Sequence, residues 1–483
     1  MAKEKKKFYI TTSIAYTNTT PHIGFALELI QADVLARYHR ILGEDVFYLT
    51  GTDEHGQKVA KAAEEAGKAP KEFCDEISAQ FRALKKTLNL SNNDFIRTTD
   101  RKRHWPAVRK VWLKLKENGD IYKKKYKGFY CVGCEAFITQ KDLKGGKCVI
   151  HQREPAVFEE ENYFFRLSKY SKKIEEIIEK GKIKIIPGGR KNEMLNFVKQ
   201  GLEDISFSRP RKDLKWGIPV PDDQTQTIYV WADALTNYLS ALGYAENGKK
   251  FKKYWPADVH CIGKDILKFH ALIWPAMLLS LKLPLPKVIF AHGFLTVAGQ
   301  KMSKSLRNII DPFELVAKYG LDAVRYFLLR EIPPTEDGDF TYEKFEKRYN
   351  SDLAGGLGNL VARVIKLAKI SNFQFSISKQ SPISKFQTII NKTWKKYHKA
   401  LGEFKFNEAL ISIWDLISFC DRYIEKERPW QKSKKQLSII NDLLFTLNKI
   451  AQFIQPFLPE TSEKIFKQLR TKTAKPLFPR LRA

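Results

Sequence analysis

The chain has 483 residues, 43% of them apolar, which leaves room for roughly three domains with substantial cores. Lysine and arginine total 84 against 54 acidic residues, and the net charge of +30 favours an anionic partner, most simply a nucleic acid. Six cysteines exclude a disulfide-stapled scaffold, and the lack of any run of about 18 apolar residues excludes a membrane-spanning protein, so we expect a soluble cytoplasmic one.

The N-terminal segment predicts the opening of a nucleotide-binding fold. Residues 8–16 are β-branched and aromatic and predict a strand, and the helical pattern that follows ends near Gly43. Thr20 is a suitable N-cap and Pro21 a suitable first helical residue, which would place His22 in the first helical turn. Free backbone N–H groups and the helix dipole attract phosphate there. A strand, a tight turn and a helix N-terminus indicate an α/β fold that binds a nucleotide.

Three later segments have the pattern of a strand end followed by polar or aromatic residues. They are 46–56, 229–238 and 261–265, and the last is followed by a helix on which His270 and Trp274 share a face. Taken alone, each of these segments is more typical of a core than of a binding site.

Two hairpins of the Cys-x-x-ligand type occur between the first and second of these segments. Cys131 and Cys134 belong to the first hairpin, and Cys148 and His151 to the second. Three thiolates and one imidazole with these spacings suit a tetrahedral Zn²⁺ site. Four protein ligands leave no open coordination position, so we expect one structural zinc ion per chain and not a catalytic one. Four unconnected residues are the alternative.

A loop rich in lysine and serine follows a strand-like apolar run at 288–295. The loop comprises residues 300–305, with Lys301 and Lys304 as its cations and a glycine at position 299. Two ammonium groups on a loop can follow the charge that shifts along a triphosphate during its reaction. For an isolated Lys-x-x-Lys pair, a solvated basic loop is the more common explanation.

The C-terminal part of the chain predicts helices. From about residue 341 to the end, apolar residues recur at spacings of three and four, which is typical of a helical bundle.

Two separated motifs carry a resemblance to a known family. His22, Ile23 and Gly24 match three of the four positions of the first signature of class I aminoacyl-tRNA synthetases, and Phe25 replaces the histidine of the fourth. Residues 301–305, Lys-Met-Ser-Lys-Ser, match the second signature completely. Essentially the whole chain resembles the methionyl-tRNA synthetases, because its other motifs follow in that family's order.

The resemblance implies an α/β architecture with a Rossmann-like catalytic domain that is split by a zinc-knuckle connective insertion and followed by an α-helical anticodon-binding bundle. The implied segments are 1–115 and 225–298 for the two catalytic halves, 116–224 for the insertion, 299–345 for the lysine loop and the linking (stem-contact) region, and 346–483 for the bundle. The valyl, isoleucyl and leucyl enzymes carry larger insertions that edit mischarged products, and this insertion leaves little room for such a domain.

The resemblance also assigns site residues. The implied catalytic residues are His22, Lys301 and Lys304. The implied ATP-binding residues are His22, Gly24, Glu28, Lys301, Ser303, Lys304 and Ser305. The implied methionine-binding residues are Ile14, Tyr16, Asp53, Trp231, Ala234, Leu235, Tyr238, Asp265, Phe269, His270 and Trp274. Aromatic and aliphatic walls suit a thioether, which is polarizable but forms almost no hydrogen bonds. Arg209 matches a family arginine near the adenylate.

Three residues of the helical region match the family's anticodon-reading positions. They are Asn359 and Arg363, which share a helix face, and Trp430, which follows a proline near a helix end. Unstacked loop bases are recognised by stacking on an aromatic ring and by amide or guanidinium hydrogen bonds. The implied RNA partner is tRNA(Met), recognised through its CAU anticodon.

The implied activity is that of a methionine–tRNA ligase. L-methionine and ATP, accompanied by Mg²⁺, would give methionyl-adenylate and pyrophosphate, and the methionyl group would then pass to the 3′ end of the tRNA. Some family members continue into a dimerising oligonucleotide-binding domain, for which this sequence has no counterpart, so we expect a monomer.

Three alternatives remain from the sequence. Another class I synthetase, such as the cysteine enzyme, would need a catalytic zinc in its pocket, whereas the Cys and His residues here lie in an insertion. A tRNA-binding paralogue would have lost activation through Phe25, since removing one preorganised donor costs about a hundredfold in rate. A small nucleotidyltransferase of the same fold would leave the insertion and the helical region unexplained.

Overall fold

The computed structural model describes residues 5–133, 136–138, 142–150, 152–302, 308–370, 385–431 and 433–481. The chain divides into two units. The first unit comprises Met1–Pro21, His39–Lys85 and Ser91–His292, and the second comprises His22–Tyr38, Lys86–Leu90 and Gly293–Ala483. Within the described ranges, no helix has both the length and the apolar content that crossing a bilayer requires.

The strands are numbered in chain order. They are β1 Lys7–Tyr16, β2 Asp45–Asp53, β3 Asp94–Arg97, β4 Ile121–Cys131, β5 Ala136–Ile138, β6 Leu143–Lys144, β7 Lys147–Cys148, β8 Ala156–Phe165, β9 Lys184–Ile186, β10 Ile205–Ser206, β11 Ser208–Pro210, β12 Pro219–Val220, β13 Asp223–Ile228, β14 Val259–Gly263, β15 Val288–His292, β16 Leu295–Val297, β17 Gln300–Lys301 and β18 Gly338–Phe340.

The α-helices are numbered in the same way. They are α1 Ile23–Ile41, α2 Gln57–Glu65, α3 Pro70–Thr87, α4 His104–Glu117, α5 Ser171–Glu179, α6 Gly188–Lys199, α7 Val230–Leu235, α8 Asn237–Ser240, α9 Lys249–Tyr254, α10 Trp274–Ser280, α11 Pro312–Tyr319, α12 Leu321–Arg330, α13 Tyr342–Arg348, α14 Asn359–Ile370, α15 Lys385–Gly402, α16 Phe406–Glu427, α17 Gln436–Ile454 and α18 Pro459–Thr471. Two segments have π-helical hydrogen bonding, Phe269–Ile273 and Tyr349–Gly358.

The first unit is built on a six-stranded sheet in the order β3-β2-β1-β14-β15-β9, and every pairing in it is parallel. Tyr9 and Ile10 on β1 point to opposite faces and are both fully buried, which is why large apolar side chains stand at consecutive positions of this strand. The predicted α/β fold class is therefore confirmed. Strand β9 lies within residues 116–224, the segment predicted as an insertion, and yet it forms the edge of this sheet beside β15.

Residues 121–228 also form smaller antiparallel sheets. One has the order β10-β8-β4-β5, another the order β11-β13-β12, and β6 pairs with β7. Lysines on β4 lie opposite glutamates on β8, with Lys125 paired with Glu161 in the register, and such oppositely charged cross-strand pairs stabilise a solvent-facing ladder.

The second unit is mainly helical. Its C-terminal part consists of α13 to α18, in which α14 packs on α17, α15 on α16, and α17 on α18. Leu410, Ile413 and Ile417 on α16 are buried at spacings of three and four residues, the pattern of one helix face in a core. The helical prediction for this region is confirmed. A small sheet, β17-β16-β18, precedes the helices.

Candidate active site

The strand order of the parallel sheet reverses between β1 and β14. Strands β2 and β3 extend the sheet on one side of β1, and β14, β15 and β9 extend it on the other. Ligands of open α/β sheets bind outside the carboxyl ends of the strands at such a reversal. The carboxyl ends of β1 and β14 are Tyr16 and Gly263, so the fold predicts a pocket beside these two residues.

Strand β1 carries a β-bulge just before its carboxyl end. The register with β2 passes from Thr11 opposite Leu49 to Ile14 opposite Gly51, so β1 has one extra residue. A bulge re-aims the side chains that follow it. Here those side chains are Ile14 and Tyr16, both half-buried, and Tyr16 lies opposite Asp53 in the register.

Aromatic rings make one wall of this region. The rings of Trp231 and Phe269 are stacked with centroids 3.6 Å apart and an interplanar angle of 7°, and His270 meets Trp231 edge-on at 6.4 Å. Tyr238 lies 5.9 Å from Trp274, and both are buried. Ala234 and Leu235, also buried, lie on α7 between the two ring groups. Trp231 Nε1 has no hydrogen-bond partner among the described residues, so it can donate to a ligand.

Hydrogen bonds determine which ring nitrogen carries the proton in the two histidines of this wall. His270 Nδ1 lies 3.0 Å from the carbonyl of Ile266 and therefore carries the proton, so Nε2 accepts from the hydroxyl of Tyr238 at 2.8 Å. Beneath them, Trp274 donates to His260 Nε2 at 3.3 Å, and His260 Nδ1 lies 2.7 Å from Thr11 Oγ1. Burial lowers the pKa of His260 well below its ordinary value, so this ring is neutral.

Two carboxylates flank the wall. Asp53 is buried at the end of β2. Asp265, which is exposed, follows β14, and its Oδ1 would lie 2.6 Å from a Cβ at position 263. Only glycine therefore allows the Asp265 carboxylate to fold back over the end of β14. The predicted methionine-binding residues thus gather at the carboxyl ends of β1, β2 and β14 and on the segments that follow β13 and β14.

His22 differs from its predicted position. Helix α1 begins at Ile23, so neither Thr20 nor Pro21 starts it, and His22 stands immediately before the helix instead of in its first turn. His22 Nδ1 accepts the N–H of Gly24 at 3.1 Å, which is the hydrogen bond that an N-cap side chain makes. The N–H of Ile23 donates to the carbonyl of Ile310 at 3.0 Å, and that of Phe25 to the carbonyl of His22 at 3.0 Å.

The first backbone donors of α1 are therefore engaged within the protein, and the expectation that they are free for phosphate is wrong. The half-buried imidazole of His22 stands at this helix start instead. Burial lowers its pKa from the ordinary value, so the ring is neutral at pH 7. With Nδ1 accepting from Gly24, the proton is on Nε2. Glu28, on the next turn, is buried.

The two signature motifs contact each other in the second unit. A Cβ on Gly24 would lie 3.0 Å from the His22 ring and 3.1 Å from Met302 Cε, so the absence of a side chain at Gly24 permits the approach. Lys301 ends β17, is exposed, and has its Nζ 5.4 Å from the ring centre of Phe294. Predicted site residues Ser303, Lys304 and Ser305 lie outside the described residues.

A tight hairpin presents Lys301. Strands β16 and β17 are joined by Ala298 and Gly299, both with positive φ (51° and 74°), as the two-residue turns that match strand twist require. Asp339 fixes this turn, since its Oδ1 accepts the N–H of Gly299 at 2.7 Å and the hydroxyl of Thr296 at 2.8 Å.

Of the four predicted zinc ligands, Cys131 and Cys148 are described. Both are buried, and they share a small cluster with Ile138. Cys134 and His151 lie outside the described residues, and among the rest no group of three or more metal-binding side chains is found. Two buried thiols in one cluster fit the donor set of a zinc site.

Arg209 lies on β11 and is buried. Its Nη2 binds Glu160 Oε1 at 2.8 Å, and its guanidinium stacks 4.1 Å above the ring of Tyr130. These partners hold Arg209 within the segment 121–228. Its predicted role near an adenylate stays a prediction.

The predicted anticodon residues lie on the helical part of the second unit. Asn359 is the first residue of α14 and is exposed. Arg363, one turn later, has Nη2 2.6 Å from Glu425 Oε1 and Nη1 3.5 Å from Asp421 Oδ1, both on α16. Trp430 follows α16 and is 50% exposed, an unusual exposure for an indole.

One cluster in the first unit escaped the sequence reasoning. The buried carboxylate of Asp233 binds two buried imidazoles, His55 Nδ1 at 2.7 Å and His104 Nε2 at 2.7 Å. Asp233 lies within the motif 229–238 and His55 within 46–56, so both were inside singled-out segments. Nothing in the spacing of three residues so far apart in the chain indicates their contact.

Comparisons with known proteins agree with this geometry. A family model described as "tRNA synthetases class I (M)" matches residues 8–146 and 138–365, and one described as "Anticodon-binding domain of tRNA ligase" matches 385–479. The methionine–tRNA ligase of Thermotoga maritima is 46% identical over 476 residues, which cover 96% of this chain and 75% of that protein. The methionine–tRNA ligase of Bacillus subtilis is 42% identical, with 100% and 79% covered.

Solved structures show the same relationship. Mycobacterium tuberculosis methionyl-tRNA synthetase in complex with methionyl-adenylate has a TM-score of 0.90 at 37% identity, with 99% of each chain covered. The apo form of that protein has a TM-score of 0.85 at 33% identity, with both chains fully covered. The chain belongs to the methionyl-tRNA synthetase family of class I aminoacyl-tRNA synthetases.

Proposed function

We propose that this chain joins L-methionine to tRNA(Met) at the expense of ATP. The observation that carries the proposal is the contact between the two class I signatures, in which Met302 Cε approaches Gly24 beside the His22 ring. This contact supports a phosphate site at the start of α1, where His22 offers an Nε2–H donor. A triphosphate bound there meets a neutral donor and the loop cations together.

In the first step, a methionine carboxylate oxygen attacks the α-phosphorus of ATP. The bond from this phosphorus to the oxygen that bridges it to the β-phosphate breaks, and pyrophosphate leaves; Mg²⁺ would accompany the phosphates. His22 Nε2, Lys301 and Lys304 hold the phosphates and stabilise the charge that moves onto the leaving group. Gly24, Glu28, Ser303 and Ser305 complete the proposed ATP site. No covalent bond to the protein is needed.

The amino acid binds at the carboxyl ends of β1, β2 and β14. Ile14, Tyr16, the Trp231–Phe269 pair and Trp274 offer polarizable walls for the thioether. The ammonium group of methionine is proposed to bind the carboxylate of Asp53, which is buried at the end of β2 beside Tyr16 in the register. Ala234, Leu235, Tyr238, His270 and Asp265 complete the proposed pocket, and Arg209 is proposed to act near the adenylate.

In the second step, a ribose hydroxyl of the 3′-terminal adenosine attacks the carbonyl of methionyl-adenylate, and AMP leaves. The CAU anticodon is read by the second unit, where exposed Trp430 offers a stacking surface and Asn359 and Arg363 offer hydrogen-bond donors. Cys131, Cys134, Cys148 and His151 would hold one zinc ion, which contributes folding stability to residues 121–165. The oligomeric state stays a prediction that sedimentation of the purified chain would test.

Phe25 is the departure from the family signature. The relatives named above are ligases, which favours an active enzyme over a tRNA-binding paralogue. Exchange of pyrophosphate into ATP, assayed separately with each of the twenty amino acids, tests the proposal. Exchange with methionine alone supports it. Exchange with another amino acid would reject methionine as the substrate, and no exchange in folded protein would reject activation itself.

A variant separates the two causes of a failed assay. If exchange is absent in the parent and present in Phe25→His, the loss is due to the missing donor at position 25. If both proteins are inactive while both bind tRNA(Met), the chain is a binding protein.

A further inference from the structure

A carboxylate that takes no part in the proposed reaction is buried beside the methionine pocket. Asp233 is 1% exposed, and its two oxygens each accept one imidazole N–H: His55 Nδ1 on Oδ2 and His104 Nε2 on Oδ1, both at 2.7 Å. His55 is 2% exposed and His104 fully buried. We call these three side chains the His55–Asp233–His104 bridge.

The bridge joins three separate elements of the first unit. Asp233 lies on α7, two residues after Trp231 and directly before Ala234. His55 follows the end of β2, two residues after Asp53. His104 opens α4, and its Nδ1 lies 2.8 Å from Ser240 Oγ on α8. The bridge therefore fixes the strand end that carries Asp53 against the helix that carries the aromatic wall.

The residue between Asp53 and His55 is held as firmly. Glu54 is fully buried and binds Arg97 through both oxygens, at 2.6 and 2.9 Å, and accepts the hydroxyl of Thr52 at 2.7 Å. The indole of Trp216 donates to the Glu54 carbonyl at 2.5 Å. The two residues after Asp53 are thus anchored on different sides, Glu54 towards β3 and His55 towards α7.

The hydrogen bonds to Asp233 are strong enough to fix the positions of the two histidine rings. Burial raises the pKa of Asp233, but its electrostatic interactions and hydrogen bonds with His55 and His104 outweigh burial and hold that pKa below the ordinary value. The carboxylate is therefore ionised, and hydrogen bonds to an ionised acceptor are about twice as strong as neutral ones. The ring of His55 also lies edge-on to Trp105 and Trp216, at 5.9 and 5.4 Å, which restricts its rotation.

We propose that Asp233, acting through His55 and His104, is a positioning residue for methionine binding. The bridge holds Asp53 at the distance from Trp231 and Ala234 that lets one molecule of methionine engage the carboxylate and the apolar wall together. This inference rests on the proposed function, because it assumes that the pocket binds methionine.

The first test is Asp233→Asn, measured by pyrophosphate exchange in the full chain. The amide keeps the size of the carboxylate and one acceptor, and its NH₂ group can face His104 if that ring moves its proton to Nδ1, where Ser240 Oγ accepts it. The fold is therefore preserved while the charge is lost. We expect the KM for methionine to rise about tenfold and the KM for ATP to change less than about twofold.

Matched histidine variants separate positioning from packing. The amide of asparagine superimposes on a histidine Nδ1 and that of glutamine on Nε2, so His55→Asn and His104→Gln keep the donor that each ring supplies to Asp233. His55→Leu and His104→Leu remove it at similar volume. We expect the first pair to retain a KM for methionine within about threefold of the parent, and the second pair to raise it about tenfold or more.

The two KM values and the melting temperature distinguish a positioning role of the bridge from a purely structural one. A purely structural bridge would lower the melting temperature and the active fraction while leaving both KM values unchanged, and that result would overturn the proposal. Equal rises in the KM for methionine and for ATP would overturn it as well. Absence of methionine-dependent exchange in the parent would instead reject the proposed function, so the two failures are distinguishable.

Discussion

His22 Nδ1 accepts the backbone N–H of Gly24 at 3.1 Å, and this hydrogen bond determines where the proton of the ring resides. The pKa of His22 is lowered by burial, so the imidazole is neutral at pH 7 and its proton is on Nε2. A residue predicted to lie beside phosphate-binding backbone N–H groups is instead the helix cap. Its free nitrogen is a single, directed donor.

This assignment predicts an order among His22 variants. Glutamine places its amide near the position of Nε2, whereas asparagine places it near Nδ1. We expect His22→Ala and His22→Asn to lose about a hundredfold in the rate of pyrophosphate exchange, and His22→Gln to lose about tenfold. Equal losses for glutamine and asparagine would contradict donation from Nε2.

Local sequence patterns predicted the strands of the parallel sheet well and the contacts between distant residues poorly. The run at 8–16 predicted β1, observed at Lys7–Tyr16, because a strand that is buried on both faces selects β-branched and aromatic residues at consecutive positions. The predicted start of α1 was wrong. The N–H of Ile23 donates to the carbonyl of Ile310, a partner far away in the chain. A local capping rule contains no information about such a partner.

Features that depend on a distant partner have no local signal in the sequence. Strand β9 has three residues, Lys184–Ile186, too few to show a period, and only its pairing with β15 makes it a strand. His55 and Asp233 are each ordinary in their own segments, and their hydrogen bond exists only because the tertiary fold brings α7 to the end of β2. Motif order assigned residues to a methionine pocket, and that assignment stays a prediction, whereas the hydrogen-bond partners of these residues could be identified only from the fold.

The Tyr238–His270 hydrogen bond predicts a defect in methionine binding. Tyr238→Phe removes the hydroxyl that donates to His270 Nε2 and orients this ring in the wall of the pocket. Restoring the orientation of the ring when methionine binds costs up to about 1–3 kcal/mol, so we expect the KM for methionine in pyrophosphate exchange to rise between about fivefold and a hundredfold. The control is Tyr9→Phe, which removes a buried hydroxyl that donates to the Tyr238 carbonyl and should leave this KM within about threefold.

Asp421 predicts a pH-dependent contribution to stability. Burial raises its pKa to about 6, against the opposing charge of Arg363. The folded state thus binds a proton that the unfolded state releases between about pH 4 and pH 6, and the contribution of this group to stability falls as pH rises through that window. Asp421→Asn removes the fall, so its melting temperature relative to the parent should rise by about 1–2 °C between pH 4 and pH 7.5.

The control for this measurement is Asp415→Asn, which removes an exposed carboxylate from the same helix. A relative melting temperature of Asp421→Asn that stays constant across the pH range would show that Asp421 ionises normally in the folded protein.

The buried cluster of Cys131 and Cys148 predicts one zinc ion per purified chain. Cys131→Ser and Cys148→Ser each remove one thiolate from a four-ligand set, and we expect the zinc content measured by atomic emission to fall below about a tenth of the parent value. Cys420→Ser changes a buried thiol on α16 and should retain the metal. A parent protein that is folded and free of zinc after expression with zinc present would contradict the assignment.

The pair of Asp33 and Arg325 predicts a large loss of stability in the second unit. Both side chains are fully buried, and Arg325 Nη2 lies 2.8 Å from Asp33 Oδ2. The same guanidinium donates to the carbonyls of Phe457 at 2.7 Å, Leu88 at 3.0 Å and Pro456 at 2.8 Å. One planar side chain therefore satisfies four acceptors on three segments of the chain, which an ammonium group cannot do.

Arg325→Met should lower the unfolding free energy of this unit by about 3–5 kcal/mol, because it removes the donor of three carbonyls and leaves the buried Asp33 carboxylate with Arg37 as its cation. Arg325→Lys should lose nearly as much. Arg37→Met removes the other cation on Asp33. The Arg37 side chain is 20% exposed, so water can replace its guanidinium, and we expect the unfolding free energy to fall by about 1 kcal/mol. The double variant Asp33→Leu with Arg325→Met should lose less than the sum of its parts, since neither charge then remains buried alone. Thermal unfolding of these four variants, of Asp33→Leu alone and of the parent tests this order, and an Arg325→Met variant as stable as Arg37→Met would contradict it.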